Sequence, residues 1–162
     1  MTPRTLYRRI ALAEVVTWAL LLLGMVLKYV TKTTDLGVRV FGLAHGVVFI
    51  AFCLVTVLLW VNQRWTVREG VLGLLSAVPP FLTVWWERRL ERRGRLDGDW
   101  RLGRLDGDWR LGRDGEAPAN PAERVVATLL ARPMMAVGVG IVAVLALTGV
   151  ALLVGPPVGK QG

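Results

Sequence analysis

Glu14 is the only ionisable side chain between Ile10 and Leu27, a stretch that reads IALAEVVTWALLLLGMVL. A carboxylate at bilayer depth costs about 2.5 kcal/mol or more at the centre and less towards an interface, so its presence points to a use. Two uses fit. It can bind a proton or cation inside the membrane, or it can tie helices together by pairing with a polar neighbour. Steps of three and four residues put Glu14, Thr17, Trp18, Leu21, Met25 and Lys28 on one stripe. That stripe must face protein, because lipid rejects the carboxylate. Counted from Ile10, Glu14 lies about 6 Å deep. Asn62, Arg64 and Arg68 are then its expected structural partners.

His45 is the only histidine. It falls about five residues into the second apolar run, roughly 15 Å along the axis from Glu14. That spacing predicts no Glu–His dyad and makes Glu87 and Lys28 the better partners. A lone histidine inside a helix reads as a hydrogen-bonding tie rather than a ligand. One chain cannot supply two histidines to a haem. The sole cysteine, Cys53, excludes an intrachain disulfide or a cysteine-based metal site. No metal or cofactor is expected. There is no G-x-S-x-G, P-loop, H-E-x-x-H or catalytic Cys–His pair, so the chain does not read as an enzyme.

Two further features suggest contacts. Gly42-x-x-x-Gly46 brackets His45, and Gly73 and Ala77 repeat the spacing; small residues at that interval let helices approach closely, within a bundle or in a homodimer. The segment RRLERRGR, Arg88 to Arg95, is the strongest charge cluster. Arg88, Arg89, Arg92 and Arg93 are expected to contact anionic headgroups, each basic residue contributing about 1 kcal/mol near such a surface. Nucleic acid is not an expected partner, since no folded basic module accompanies the cluster. A homodimer mate or another membrane protein remains open.

The elements that position these residues follow from composition. The chain has 162 residues, 54% of them hydrophobic, and a mean hydropathy of +0.50. Its formal charge of +8 lies almost wholly outside the apolar runs. A helix crossing about 30 Å of hydrocarbon needs around 20 apolar residues. Runs at 6–30, 40–61, 69–86 and 133–155 supply four such segments. The first follows Arg4, Arg8 and Arg9 but is too long for a signal peptide and lacks a small-x-small cleavage site, so it reads as a retained helix. Thr2-Pro3, Thr66-x-x-Glu69 and Asn120-Pro121 are helix-opening signals, and Gly155-Pro156-Pro157 is a stop. Pro79-Pro80 predicts a kink in the third run.

Aromatic belts should then place Tyr7, Trp60 and Trp65 at one face and Tyr29, Trp85 and Trp86 at the other. On that layout Lys28, Lys32, Arg39 and Arg88–Arg95 share a side, and the positive-inside rule favours both termini outside. Between 94 and 120 the sequence turns polar. RLDGDWRLG at 95–103 recurs unchanged at 104–112, which reads as a flexible linker; the spacing fits neither a calcium β-roll nor an EF-hand loop. Trp100 and Trp109 are expected to rest on the membrane surface.

Residues 4–93 resemble the YdzA-like bacterial integral membrane family, a three-helix domain of unknown function marked by a His-Gly pair. The likeness is carried by RTLYRRIALAEVVTWALLLLGMVLKY, GLAHGVVF, AVPPF and Glu87, with Glu14, Trp18, Lys28, Tyr29, His45, Gly46, Pro79 and Pro80 on the pattern. It implies bacterial membrane residence and supplies no activity. IALAEVV alone is similar to the first helix of small multidrug resistance transporters, whose carboxylate takes protons and cationic drugs. Those proteins lack a linker of some 30 residues.

The expected fold is all-α: a polytopic transmembrane bundle with a three-helix domain at 1–94, a polar linker at 95–119 and a fourth helix at 120–158. The expected function is a non-enzymatic accessory or interaction module of the bacterial plasma membrane. A small proton-coupled transporter using Glu14 is the alternative.

Overall fold

A computed structural model describes residues 2–98, 100–102 and 118–154. All regular structure in them is helical: α1 Pro3–Met25, α2 Leu36–Asn62, α3 Val67–Leu75, α4 Leu82–Arg92, α5 Pro121–Ala131 and α6 Pro133–Val154. The opening signals work as read. The Thr2 hydroxyl accepts from the Thr5 amide, with Pro3 in the first turn. Thr66 and Glu69 form a complete capping box, and the Asn120 side chain accepts from the Glu123 amide.

α1 and α2 form an antiparallel pair. α1 continues through one π-helical turn, Val26–Val30, and the 28 residues from Pro3 to Val30 have a mean hydropathy of 2.3 in their most apolar window. α2 has 27 residues and 2.4. Each is about 40 Å long at 1.5 Å per residue, enough to cross a bilayer. They meet most closely at Gly24 and Gly37, where a Cβ on Gly24 would sit 2.8 Å from the Gly37 carbonyl carbon. Close approach inside this pair therefore falls there, and not at Gly42 or Gly46. Gly42 has only Leu21 at an ordinary 3.7 Å, and Gly46 has nothing within 4 Å.

The third apolar run is not one kinked span. Pro79 and Pro80 remove two amide donors and push the preceding residues out of the helical region, so helix stops at Leu75 and resumes at Leu82. Phe81, in the left-handed region at φ 69°, reverses the chain. The freed Ala77 carbonyl accepts from Trp18 Nε1 at 3.4 Å. Beyond the turn, α4 runs back along α1. Thr83 lies beside Ala11 and Glu14, Glu91 pairs with Arg4, and Arg95 Nε lies 2.9 Å from Glu69 at the start of α3. α3 and α4 are thus a helical hairpin whose two ends share the N-terminal end of the bundle.

That geometry corrects two expectations. Arg88–Arg95 lie with Arg4, Arg64 and Arg68, not with Lys28, Lys32 and Arg39. Trp86 joins no far belt; it is 3% exposed in the core with Tyr7, Phe52, Leu59, Trp65 and Leu90. Trp60 fills the space at Gly70, where a Cβ would come within 2.0 Å of its ring.

The segment expected as one fourth helix is two. Pro133 ends α5, and α6 leaves at a bend of 116°. α5 packs Val126 and Ala127 on Leu58 and Val61 of α2, while α6 lies along α2 further on. Two helices are long and apolar enough to cross a membrane, or three if α5 and α6 count as one bent span. The first repeat copy is anchored rather than loose: Leu96 and Leu102 are buried, and Arg101 is 8% exposed. The second copy, Trp109 and the Gly155-Pro156-Pro157 stop lie outside the described residues.

Candidate functional site

The α1 stripe that begins at Arg4 and steps through Tyr7, Ala11 and Glu14 to Trp18 faces α4. Glu14 sits about 16 Å along α1 from Pro3. Two of the partners expected for it are engaged elsewhere. Asn62 instead serves Arg101, and Arg64 reaches Glu123. Glu14 is fully buried, and its Oε2 accepts from the Thr83 hydroxyl at 3.0 Å. Its Oε1 has no hydrogen-bond partner among the described residues. Thr83 is the partner of Glu14 that sequence reading missed. A threonine in an apolar run carries no signal of its own.

One turn along α4, Glu87 repeats the situation. It is 3% exposed in the Tyr7, Trp86 and Leu90 core, and its Oε1 also has no partner among the described residues. Another turn on, Glu91 is half-buried and paired with Arg4. Thr83, Glu87 and Glu91 therefore form a column at i, i+4, i+8 facing α1. Its outer end is ion-paired, while its inner carboxyl, Glu87, and Glu14 facing it from α1 meet no cation among the described residues.

His45 is nearer this seam than its expected place. α2 begins at Leu36, before the apolar run proper, so His45 is nine residues in and opposite Thr17. The Thr17 hydroxyl gives its proton to the Glu14 carbonyl at 3.0 Å and lies 3.2 Å from His45 Nδ1, which then acts as the donor to it. The Trp18 ring packs on the imidazole with centroids 4.5 Å apart. His45 is thus a tie between α1 and α2, one turn from Glu14, with no contact to Glu87 or Lys28. Lys28 belongs to the far end, where its ammonium lies 5.3 Å from the Tyr29 ring centre.

A second polar cluster seals the near end, outside the apolar helices. Arg101 donates from Nε to the Asn62 carbonyl at 2.7 Å and from a terminal nitrogen to Glu123 Oε1 at 2.7 Å. The other Glu123 oxygen accepts from the Ala119 amide at 2.9 Å. Burial alone would raise the Glu123 carboxyl, but the Ala119 amide, Arg101 and Arg64 outweigh it and hold it below the usual carboxylate range. No group of three or more His, Cys, Asp or Glu residues suited to a metal occurs among the described residues.

Fold and seam together define a class: a helical membrane bundle with a buried acid column between its first helix and a re-entering hairpin. Residues 4–92 match the family described as Domain of unknown function (DUF3817), so the chain belongs to that family. The match ends where α4 ends. A Streptomyces coelicolor protein named "Putative membrane protein SCO5905" is 49% identical over 88 residues, which are 54% of this chain and 10% of that protein. The chain thus covers a small part of the curated relative it matches. No solved structure matches it.

Proposed function

We propose that α1–α4 are a portable, non-enzymatic membrane module that anchors and assembles a larger system in the bacterial plasma membrane. One observation carries this. The helices that close on one another, Pro3 to Arg92, coincide with the family segment, and a similar segment makes up one tenth of a much longer protein. A unit that recurs so is used as a part. In this reading Glu14, Thr83, Thr17 and His45 are the bolts of the module, holding the hairpin and α2 against α1. The module is of the YdzA-like type and crosses the membrane more than once, with the Arg4 end in the cytoplasm. The open space at Gly46 of α2 and the exposed residues of α6 offer room for a membrane partner or a second copy.

Native mass spectrometry of the protein, extracted gently from its own membrane, tests this. A stoichiometric protein partner or homodimer is expected; a bare monomer throughout would contradict it. A second reading, proton-coupled transport, is favoured by Glu14 on α1 and Glu87 on α4, each with a buried oxygen that has no partner among the described residues along one seam. Transport reconstituted in vesicles and abolished by Glu14→Gln without loss of fold would establish that reading instead.

A further inference from the structure

The buried face of α4 is fixed by Thr83, Trp86, Glu87 and Leu90, which leaves its other face no freedom to turn inward. On that outer face Phe81, Trp85, Arg88, Arg89, Arg92 and Arg93 line an open cavity of about 480 Å³. Four other basic residues of this end are ion-paired: Arg4 with Glu91, Arg95 with Glu69, and Arg64 and Arg101 with Glu123. Arg88, Arg89, Arg92 and Arg93 meet no carboxylate among the described residues, and Arg89 packs only on the Trp85 ring, 5.3 Å from its centre. Like charges one turn apart repel. The helix C-terminus offsets part of that repulsion, and an anion would remove the rest.

Charge and depth together define the occupant. The arginines lie at the level of Arg4, while Trp85 and then Phe81 descend towards the hairpin tip, about 18 Å from Arg93 by helical rise. A molecule following this face has phosphate at one end and hydrocarbon at the other. The arginines form two pairs one turn apart, Arg88 with Arg92 and Arg89 with Arg93, and neighbouring residues on a helix are turned by about 100°. Each guanidinium can grip a phosphate by two parallel hydrogen bonds. We propose that the outer face of α4 binds one diphosphate lipid of the cardiolipin type, one phosphate to each arginine pair, with acyl chains along Trp85 and Phe81.

The test uses the full chain in nanodiscs of zwitterionic lipid doped with cardiolipin or, at equal total charge, with phosphatidylglycerol, read by native mass spectrometry and melting. The proposal expects one cardiolipin retained per chain, at least a tenfold preference over phosphatidylglycerol, and a higher Tm with cardiolipin alone. R88Q/R92Q and R89Q/R93Q should each lose about tenfold in retention. R88K/R92K should lose the preference while keeping general attraction to anionic lipid. Equal retention of both lipids at matched charge would overturn the site, leaving a basic surface without selectivity. Displacement of cardiolipin by an equal concentration of soluble inorganic diphosphate would overturn it too, making the site one for a free anion. Should the variants fail to fold, the wild-type preference between the two lipids still decides.

Discussion

At the residue scale, Glu14 and Glu123 are two buried carboxylates with opposite settings. Among the described residues Glu14 is met by a hydroxyl and no cation, so its hydrogen bond is replaceable by an amide. Glu14→Gln should keep the fold, with stability within about 1 kcal/mol of wild type. Glu14→Ala empties the seam and strands Thr83, and should cost about 2–4 kcal/mol in reversible unfolding. Equal losses for both would show that charge, not packing, holds the seam. Glu123 is met by two arginines and an amide. Removing Arg101 leaves that carboxylate buried, so Arg101→Ala should cost about 3 kcal/mol or more, seen as protease sensitivity at 95–102. The depressed Glu123 value sets a pH window. Its stabilisation is complete above about pH 4.3, where the unfolded carboxylate titrates, and is lost as pH falls through the lower folded value. Docking of the first repeat copy should therefore survive at pH 5 and loosen in stronger acid, measured by the same proteolysis. Release between pH 5 and 7 would contradict the pairing.

At the element scale, glycine positions separate packing inside the chain from open surface. A methyl on Gly24 would meet the Gly37 backbone, and one on Gly70 would enter the Trp60 ring. Gly24→Ala and Gly70→Ala should each cost about 1–3 kcal/mol by overpacking. Gly46→Ala meets empty space and should leave the melting point unchanged or raise it, by up to about 1 kcal/mol in stability from helix propensity. Should Gly46→Ala instead break a dimer at unchanged monomer stability, the Gly42–Gly46 face is the assembly face. Helix caps and the two long spans were legible in the sequence, because cap chemistry is local and a long, mostly apolar run admits few alternatives. The hairpin was not. Hydropathy over 69–86 is the same for one span as for two half-length helices, and two prolines announce a break without giving its direction. Direction comes from Arg95–Glu69 and Arg4–Glu91, pairs 26 and 87 residues apart in sequence. His45 was misplaced for a simpler reason: α2 starts at Leu36, across Arg39, where an apolar count does not begin.

At the scale of the whole molecule, the hairpin decides both the seam and the orientation. By bringing α4 back along α1 it delivers Thr83 to Glu14, and it gathers Arg88–Arg95 with Arg4, Arg8, Arg9, Arg64 and Arg68 at one end. Among the described residues only Lys28, Lys32 and Arg39 stay at the other, so the positive-inside rule now favours the Arg4 end in the cytoplasm. The most direct measurement is labelling of single cysteines by an impermeant thiol reagent in intact cells and in inverted vesicles, with Cys53 replaced by alanine. Cysteines are placed at Thr2, Thr33 and Gly94. Thr2→Cys and Gly94→Cys should react together in inverted vesicles only, and Thr33→Cys in intact cells only. Labelling of Gly94→Cys together with Thr33→Cys would mean that residues 69–86 cross the membrane after all, and the Glu14–Thr83 seam would fall with the hairpin.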